Sequence, residues 1–295
     1  MRRVRPGFLT VALLLGWSLT TAGITTLPNV PDSVKFAVIG DNGTGDREQY
    51  DVADQMRRVQ ATFRFDLVIM MGDNFYGSQK PDDLIKKFDK PYKPLLEADV
   101  VFRAALGNHD EPHTMNYPPL NMNGQRYYTF AKKNVRFFVL DTNRLDRVQL
   151  QWVEEALASA REEWKICYFH HPLYSNAGRH GSAVDIRVLL EPLLVKYGVR
   201  AVFSGHDHNY ERIVPQNGIQ YFVSGAGGKL REGDVNRSST TAAYFDSDRS
   251  FMVVEIAGAQ MFFEAISRTG ATVDSGVIPL VPARAGTVGA EGGAR

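Results

Sequence analysis

Five times along this chain an almost unbroken apolar run ends in a small cluster of carboxylate, amide or imidazole side chains. VKFAVI (34–39) leads into Gly40-Asp41, DLVIMM (66–71) into Gly72-Asp73, and VVFRAAL (100–106) into Gly107-Asn108-His109-Asp110. WKICYF (164–169) leads into His170-His171, and VRAVFS (199–204) into Gly205-His206-Asp207-His208. Runs this apolar suit strands covered on both faces, as parallel strands of α/β folds are. In such folds the loops beyond the carboxyl ends of the strands build the ligand site. If the runs pair in parallel, all five loops open along one sheet edge. Four of them carry a glycine before the first polar residue, where a Cβ would hinder a tight turn.

Four further runs read as strands: VRFFVL (135–140), IQYFVS (219–224), FMVVEI (251–256) and MFFEAIS (261–267). The last two flank Gly258-Ala259 and predict a terminal antiparallel hairpin. Amphipathic stretches predict helices over 47–61, 81–97, 148–161 and 183–197. In the last, Val184, Val188 and Leu189 set an apolar face, and Pro192 introduces a kink. The class is α/β with a mixed or layered sheet, and short connections argue for one domain over residues 33–280. With 44% hydrophobic residues in a chain of 295, a sizeable core is available and disorder as a whole is excluded.

The formal charge is +1 and no long basic run occurs, so nothing marks the chain for nucleic acid. An anionic substrate would need a local cation source, which bound metal could supply. The start, MRRVRPG followed by FLTVALLLGWSL and TTAG, reads as a signal peptide over residues 1–22. Its apolar run of about 12 residues falls short of the ~20 that span a bilayer. The expectation is an exported protein (secreted, periplasmic or extracellular) with no stable membrane association after cleavage. An uncleaved N-terminal anchor is the alternative. Residues 24–33 form a polar lead-in, and the Gly/Ala-rich 281–295 a disordered tail. Cys167 is the lone cysteine, so no internal disulfide can form, and its apolar surroundings make it a buried strand residue.

The five clusters together offer at least two carboxylates, an amide and at least three imidazoles. A single zinc site uses about three or four such ligands. The surplus suggests two ions sharing a bridging carboxylate, and the oxygen and nitrogen donors suit Fe, Mn or Zn. Asp141, which follows VRFFVL, obeys the same strand-end rule and is read as a structural turn residue.

Taken as a set, GDNG (40–43), GDNFY (72–76), GNHD (107–110), HHPLYS (170–175) and GHDH (205–208) resemble the calcineurin-like metallophosphoesterases. Within them the chain resembles the purple acid phosphatases of the small, tartrate-resistant type, over roughly residues 34–267. The resemblance implies an α/β fold, a four-layer α-β-β-α sandwich with two mixed sheets and the metal site at the strand C-terminal edge. Generic members open with Asp-x-His. Here Asp41-Asn42-Gly43 has no histidine, and Tyr76 stands three residues after Asp73, where the purple enzymes place a tyrosinate. Asn42 departs from the mammalian pattern, in which a bulky aromatic often follows the first Asp.

Carried over position by position, the resemblance implies a first metal on Asp41, Asp73, Tyr76 and His208. A second would be held by Asp73, Asn108, His170 and His206, with Asp73 bridging. A ferric ion paired with Fe2+, Zn2+ or Mn2+ is implied. His109 matches a residue that contacts substrate phosphate, and His180, in SNAGRHGS, one that helps protonate the leaving group. His171 is expected to support the site or the structure, and His113 to be a solvated loop histidine. Tyr174 and Tyr210 are candidates for the mouth or for packing. The implied activity is hydrolysis of phosphate monoesters, on a phosphorylated small-molecule or protein substrate, with metal-bound hydroxide as nucleophile. A phosphodiesterase or nucleotide phosphatase on the same scaffold is the alternative. A non-catalytic binding module is disfavoured by the complete ligand set with His109 and His180. A cysteine-dependent phosphatase lacks the Gly/Arg loop that would follow Cys167.

Overall fold

The computed structural model describes residues 27–280, so the expected signal segment and the expected tail lie outside the described residues. The chain begins with β1 (Val34–Ile39), α1 (Arg47–Phe63), β2 (Leu67–Met70), α2 (Pro81–Leu84), α3 (Lys90–Leu96) and β3 (Val101–Ala104). It continues through β4 (Tyr128–Lys132), β5 (Val135–Val139), α4 (Arg147–Ser159), β6 (Trp164–Tyr168), α5 (Val184–Lys196) and β7 (Ala201–Ser204). The last part is all strand: β8 (Tyr210–Ile213), β9 (Gln220–Ser224), β10 (Thr241–Phe245), β11 (Ser250–Ala257), β12 (Gln260–Ser267) and β13 (Thr272–Pro279).

These strands form two mixed sheets, ordered β13-β12-β11-β1-β2-β3 and β10-β8-β9-β7-β6-β5-β4. The facing surfaces are aromatic. Phe36 of β1 meets Phe137 of β5 edge-on at 5.3 Å and Phe203 of β7 at 6.1 Å, and Phe222 of β9 meets Phe263 of β12 at 5.0 Å. Period-two alternation explains the outer layers. Phe137 points between the sheets, while its neighbour Phe138 packs with Cys167, Val202, and Val153 and Leu157 of α4. On the other side Val52, Met56, Val59 and Phe63 of α1 join the first sheet's core. The result is the expected four-layer α-β-β-α sandwich.

Three expectations are corrected. The five ligand-bearing loops do not leave one sheet. β1, β2 and β3 are parallel in the first, and β6 and β7 are parallel in the second. The two carboxyl edges face one another across the interface. On α5, Leu190 and Leu194 are the buried residues, whereas Val184, Val188 and Leu189 face solvent, with Val188 67% exposed. The apolar residues of α5 are spread around the helix and interleaved with Asp185, Arg187, Glu191 and Lys196, so spacing alone does not single out the buried stripe. The hairpin at Gly258-Ala259 forms, with Ala257 opposite Gln260, but it is not terminal, because β13 adds to its far edge.

The expected helix 81–97 is interrupted by a wide turn at Ile85–Asp89. Pro91 has no N–H to give to the Lys87 carbonyl four residues back. That carbonyl instead accepts from Gln49 Nε2 of α1 at 2.5 Å. The bulge turns Lys87 inward, where its Nζ donates to the carbonyls of Tyr76 (2.7 Å) and Ser78 (2.5 Å). A backbone irregularity thus anchors the loop that carries Tyr76. At the amino end, buried Glu255 of β11 accepts from the backbone N–H groups of Asn29 (2.7 Å) and Val30 (2.6 Å), pinning the lead-in to the sheet.

Candidate metal centre

Asp41, Asp73 and His206 all have left-handed backbone, with φ of 55°, 51° and 70°. For residues with a Cβ this conformation is costly and concentrates where function holds it in place. Here the loops hold one another. Asp41 N–H donates to Gly72 O at 3.0 Å, Gly205 N–H to His170 O at 3.0 Å, and His206 N–H to Asp41 Oδ2 at 2.8 Å. The approach is closer than any side chain would permit. A Cβ on Gly107 would stand 2.1 Å from Asp73 N, and one on Gly205 would stand 2.3 Å from Asp41 Oδ2.

Two donor groups result. In the first, Tyr76 Oη lies 3.0 Å from Asp41 Oδ1 and 3.1 Å from His208 Nε2, and a carboxylate oxygen of Asp73 joins Asp41 and His208 within 4.8 Å. In the second, His170 Nε2 lies 3.0 Å from Asn108 Oδ1, 3.1 Å from His206 Nδ1 and 3.5 Å from Asp73 Oδ1. All seven residues expected as ligands are therefore gathered, with Asp73 between the groups. His170 Nδ1 gives its proton to Met71 O at 2.8 Å, which leaves the Nε2 lone pair aimed into the centre.

This donor set fits metal. Asp41 and Asp73 are buried, and neither is in an ion pair with lysine or arginine among the described residues. Buried charge without such a partner is expensive unless a cation is supplied. In the metal-free centre burial, and then the charge of Asp73, hold the Asp41 carboxyl well above the usual carboxylate range. Burial and the Asp41 charge likewise push the Tyr76 phenol up. The imidazoles move the other way: burial pulls His170 well down, His206 to about 2 and His208 to about 3, so they stay neutral and able to bind metal.

The other expected residues sort clearly. His109 sits at the mouth, half exposed, its ring 4.8 Å from that of Tyr76 and its backbone N–H on Asp73 Oδ1 at 2.9 Å. The His180 ring lies 4.2 Å from that of His206, and burial lowers its pKa. His113 is remote, paired with Glu111 at 3.3 Å. Tyr174 and Tyr210 do not line the mouth, since they bond Glu191 and Asp274. Asp141 is the turn residue expected, bonding Asn143 N at 3.0 Å and pairing with Arg126 at 2.7 Å. His171 comes nearer than expected. A ring nitrogen of each of His170, His171 and His206 falls within 4.8 Å of the others, and His171 Nδ1 meets Thr142 Oγ1 at 2.9 Å. Beside it a cleft of about 550 Å3 opens, walled by Asn108, Leu106, Met115, Ile186 and Arg126.

The pattern of residues matches a profile described as Calcineurin-like phosphoesterase over residues 34–210. The chain belongs to that family. Tartrate-resistant acid phosphatase type 5 of Homo sapiens is 26% identical over 298 residues, 83% of this phosphoesterase and 91% of the human chain. Purple acid phosphatase 17 of Arabidopsis thaliana is 28% identical, covering 69% and 71% of the two chains. Among solved structures, the purple acid phosphatase PPD1 from yellow lupin seeds superposes with a TM-score of 0.72 at 21% identity, over 86% of this chain and 55% of that one. GAP50, the anchor in the inner membrane complex of Plasmodium, gives 0.70 at 20% identity over 84% and 89%. The last two bear on the fold alone. The phosphoesterase is thus a metal-dependent hydrolase of phosphoesters, and its family and acid phosphatase relatives imply a dinuclear metal site. No helix among the described residues is long and apolar enough to cross a membrane.

Three supporting groups escaped the sequence reading. Asp110, partly buried in GNHD and raised to about 7 mainly by desolvation of its carboxyl, accepts the N–H groups of Gly107, Asn74 and Phe75 and so locks the second loop to the third. Asp207, in GHDH, accepts Ser175 Oγ at 2.6 Å and steadies the base of the His180 loop. Lys229 and Arg231 follow IQYFVS and Gly225, a further case of the strand-end rule, after Asp141, that could have flagged them.

Proposed function

We propose that this phosphoesterase is an exported acid phosphatase acting on phosphate monoesters, with a ferric ion in the first group and Fe2+, Zn2+ or Mn2+ in the second. The observation that carries the reading is Tyr76 Oη within 3.1 Å of both Asp41 and His208, in a centre whose opening triplet has no histidine. A phenolate with three carboxylate or imidazole donors makes a hard, oxygen-rich site suited to a trivalent ion. Asp41, Asp73, Tyr76 and His208 would hold the first ion, and Asp73, Asn108, His170 and His206 the second. His170 is preferred to His171 as ligand because its second nitrogen is fixed by Met71 O and its Nε2 converges with Asn108 and Asp73.

When bound, the ions supply Lewis acidity toward phosphoryl oxygens and make a bound water acidic enough to attack phosphorus. The chain supplies the rest. His109, half exposed above Asp73, donates to the phosphoryl oxygens as charge builds on them. His180, its ring tilted against that of His206, gives a proton to the departing alkoxide. The substrate is a phosphorylated small molecule or protein entering over these two rings.

The test combines a visible spectrum of metal-replete protein with hydrolysis rates on aryl phosphate monoesters and diesters. A charge-transfer band lost in Tyr76→Phe, with monoesters cleaved faster, is expected. Colourless metal-replete protein, or a strong diester preference, refutes the proposal.

A further inference from the structure

The loop after β9 presents cations that the machinery above does not employ. Gly227 N–H donates to Gly40 O, Lys229 N–H to Asp41 O and Arg231 N–H to His208 O, each at 3.0 Å. A Cβ on Gly228 would stand 2.5 Å from Asn42 O, so this backbone lies flush against the first metal loop. Lys229 and Arg231 therefore project from main chain bonded directly to two expected ligand residues. Lys229 Nζ stands 4.9 Å from the centroid of the Tyr76 ring. Arg231 Nη1 is buried and has no hydrogen-bond partner.

Neither side chain has a carboxylate within 4.0 Å among the described residues. Some partly buried arginines of this protein are paired, Arg126 with Asp141, Arg212 with Asp274 and Arg268 with Asp248, whereas Arg200 likewise has a buried Nε without a partner. Arg231 as a whole is only partly buried, and an anion beside it would offset the cost of desolvating its guanidinium. An ammonium and a guanidinium two residues apart match the charge and the oxygens of a phosphoryl group better than a single carboxylate. The reacting phosphoryl has its own partners in the metal groups and His109. This pair lies to the Tyr76 and His208 side, away from the cleft beside Asn108.

We propose that Lys229 and Arg231 form an anion subsite that holds a second phosphoryl group, so that small bisphosphorylated substrates are preferred to monophosphorylated ones. This rests on the phosphomonoesterase reading above. The test compares kcat/KM of the full metal-replete chain on a hexose monophosphate and on the bisphosphate of the same hexose. The wild-type protein should favour the bisphosphate. Lys229→Gln combined with Arg231→Gln should lower the bisphosphate-to-monophosphate ratio about tenfold, mainly through KM, as expected for losing a charge-assisted contact. Arg231→Lys, which keeps the charge, should retain most of the preference, and added salt should weaken it. The visible absorption of each variant reports that the metal centre is intact. A wild-type ratio near one, or a ratio unchanged in the double variant, overturns the subsite while leaving the phosphomonoesterase reading in place. Hydrolysis of neither sugar phosphate would overturn both.

Discussion

Tyr76 and Gly107 are single residues on which the centre depends in different ways. Tyr76 and Asp41 both hold their protons to higher pH than usual in the metal-free centre, so metal uptake must displace those protons. Protons and metal compete, and affinity therefore falls as pH falls. His206 and His208, already neutral above about 3, add nothing to this competition. Calorimetric titration in buffers of different ionisation enthalpy should find about one proton fewer released on metal binding by Tyr76→Phe than by the wild type. Gly107→Ala would drive a Cβ into the backbone of Asp73, and chemical denaturation should show a loss of roughly 1–3 kcal/mol, with metal content reduced. His180→Asn should slow alkyl phosphates by about 100-fold and nitrophenyl phosphate much less, because only a poor leaving group needs the proton. Tyr76 stood out only through the family resemblance, whereas the six other expected ligands were legible as residues because they sit in clusters that follow apolar strand runs in one recurring pattern. The jobs of Asp110 and Asp207 were not, because their partners Asn74 and Ser175 lie 36 and 32 residues away and nothing local marks the pairing.

At the scale of elements, the bulge before α3 ties a helix to the chemistry. Lys87 satisfies two carbonyls of the Tyr76 loop, so Lys87→Met should cost about 1–3 kcal/mol in denaturant unfolding and weaken the visible band. Lys87→Arg should recover part of both. The proline that causes the bulge was in plain view, but the receiving Gln49 side chain belongs to another helix, and only packing joins them. Strands buried on both faces were readable for the same reason that they are central. β4, β8, β10 and β13 went unseen. They are short or half-exposed, and β10 and β13 alternate between intermediate and exposed positions, so their pairing comes from neighbours in the sheet more than from their own apolar content.

At the scale of the whole molecule, the centre is a polar bolt between two sheets that otherwise meet through phenylalanines. Asp41, Asp73 and Asn108 come from the first sheet, His170, His206 and His208 from the second. Ions that bind only this assembled arrangement stabilise it by linkage, by about 4 kcal/mol when free metal exceeds its dissociation constant a thousandfold. Chelation should accordingly lower the thermal midpoint by several degrees, with hydrogen exchange rising first in the five loops and not in β11 or β12. Uniform loss of protection across both sheets would contradict this picture.

The strand order also sets a clock. β1 is sandwiched between β2, its near neighbour in sequence, and β11, which begins more than 200 residues later. A chain emerging from the ribosome presents every expected ligand before β11 exists, while one flank of β1 is still bare. Metal capture should therefore wait for the last fifth of the polypeptide. Fragments ending near residue 245 should contain all seven donors and still bind no ion tightly, so that arrival of β11 serves as a checkpoint on maturation.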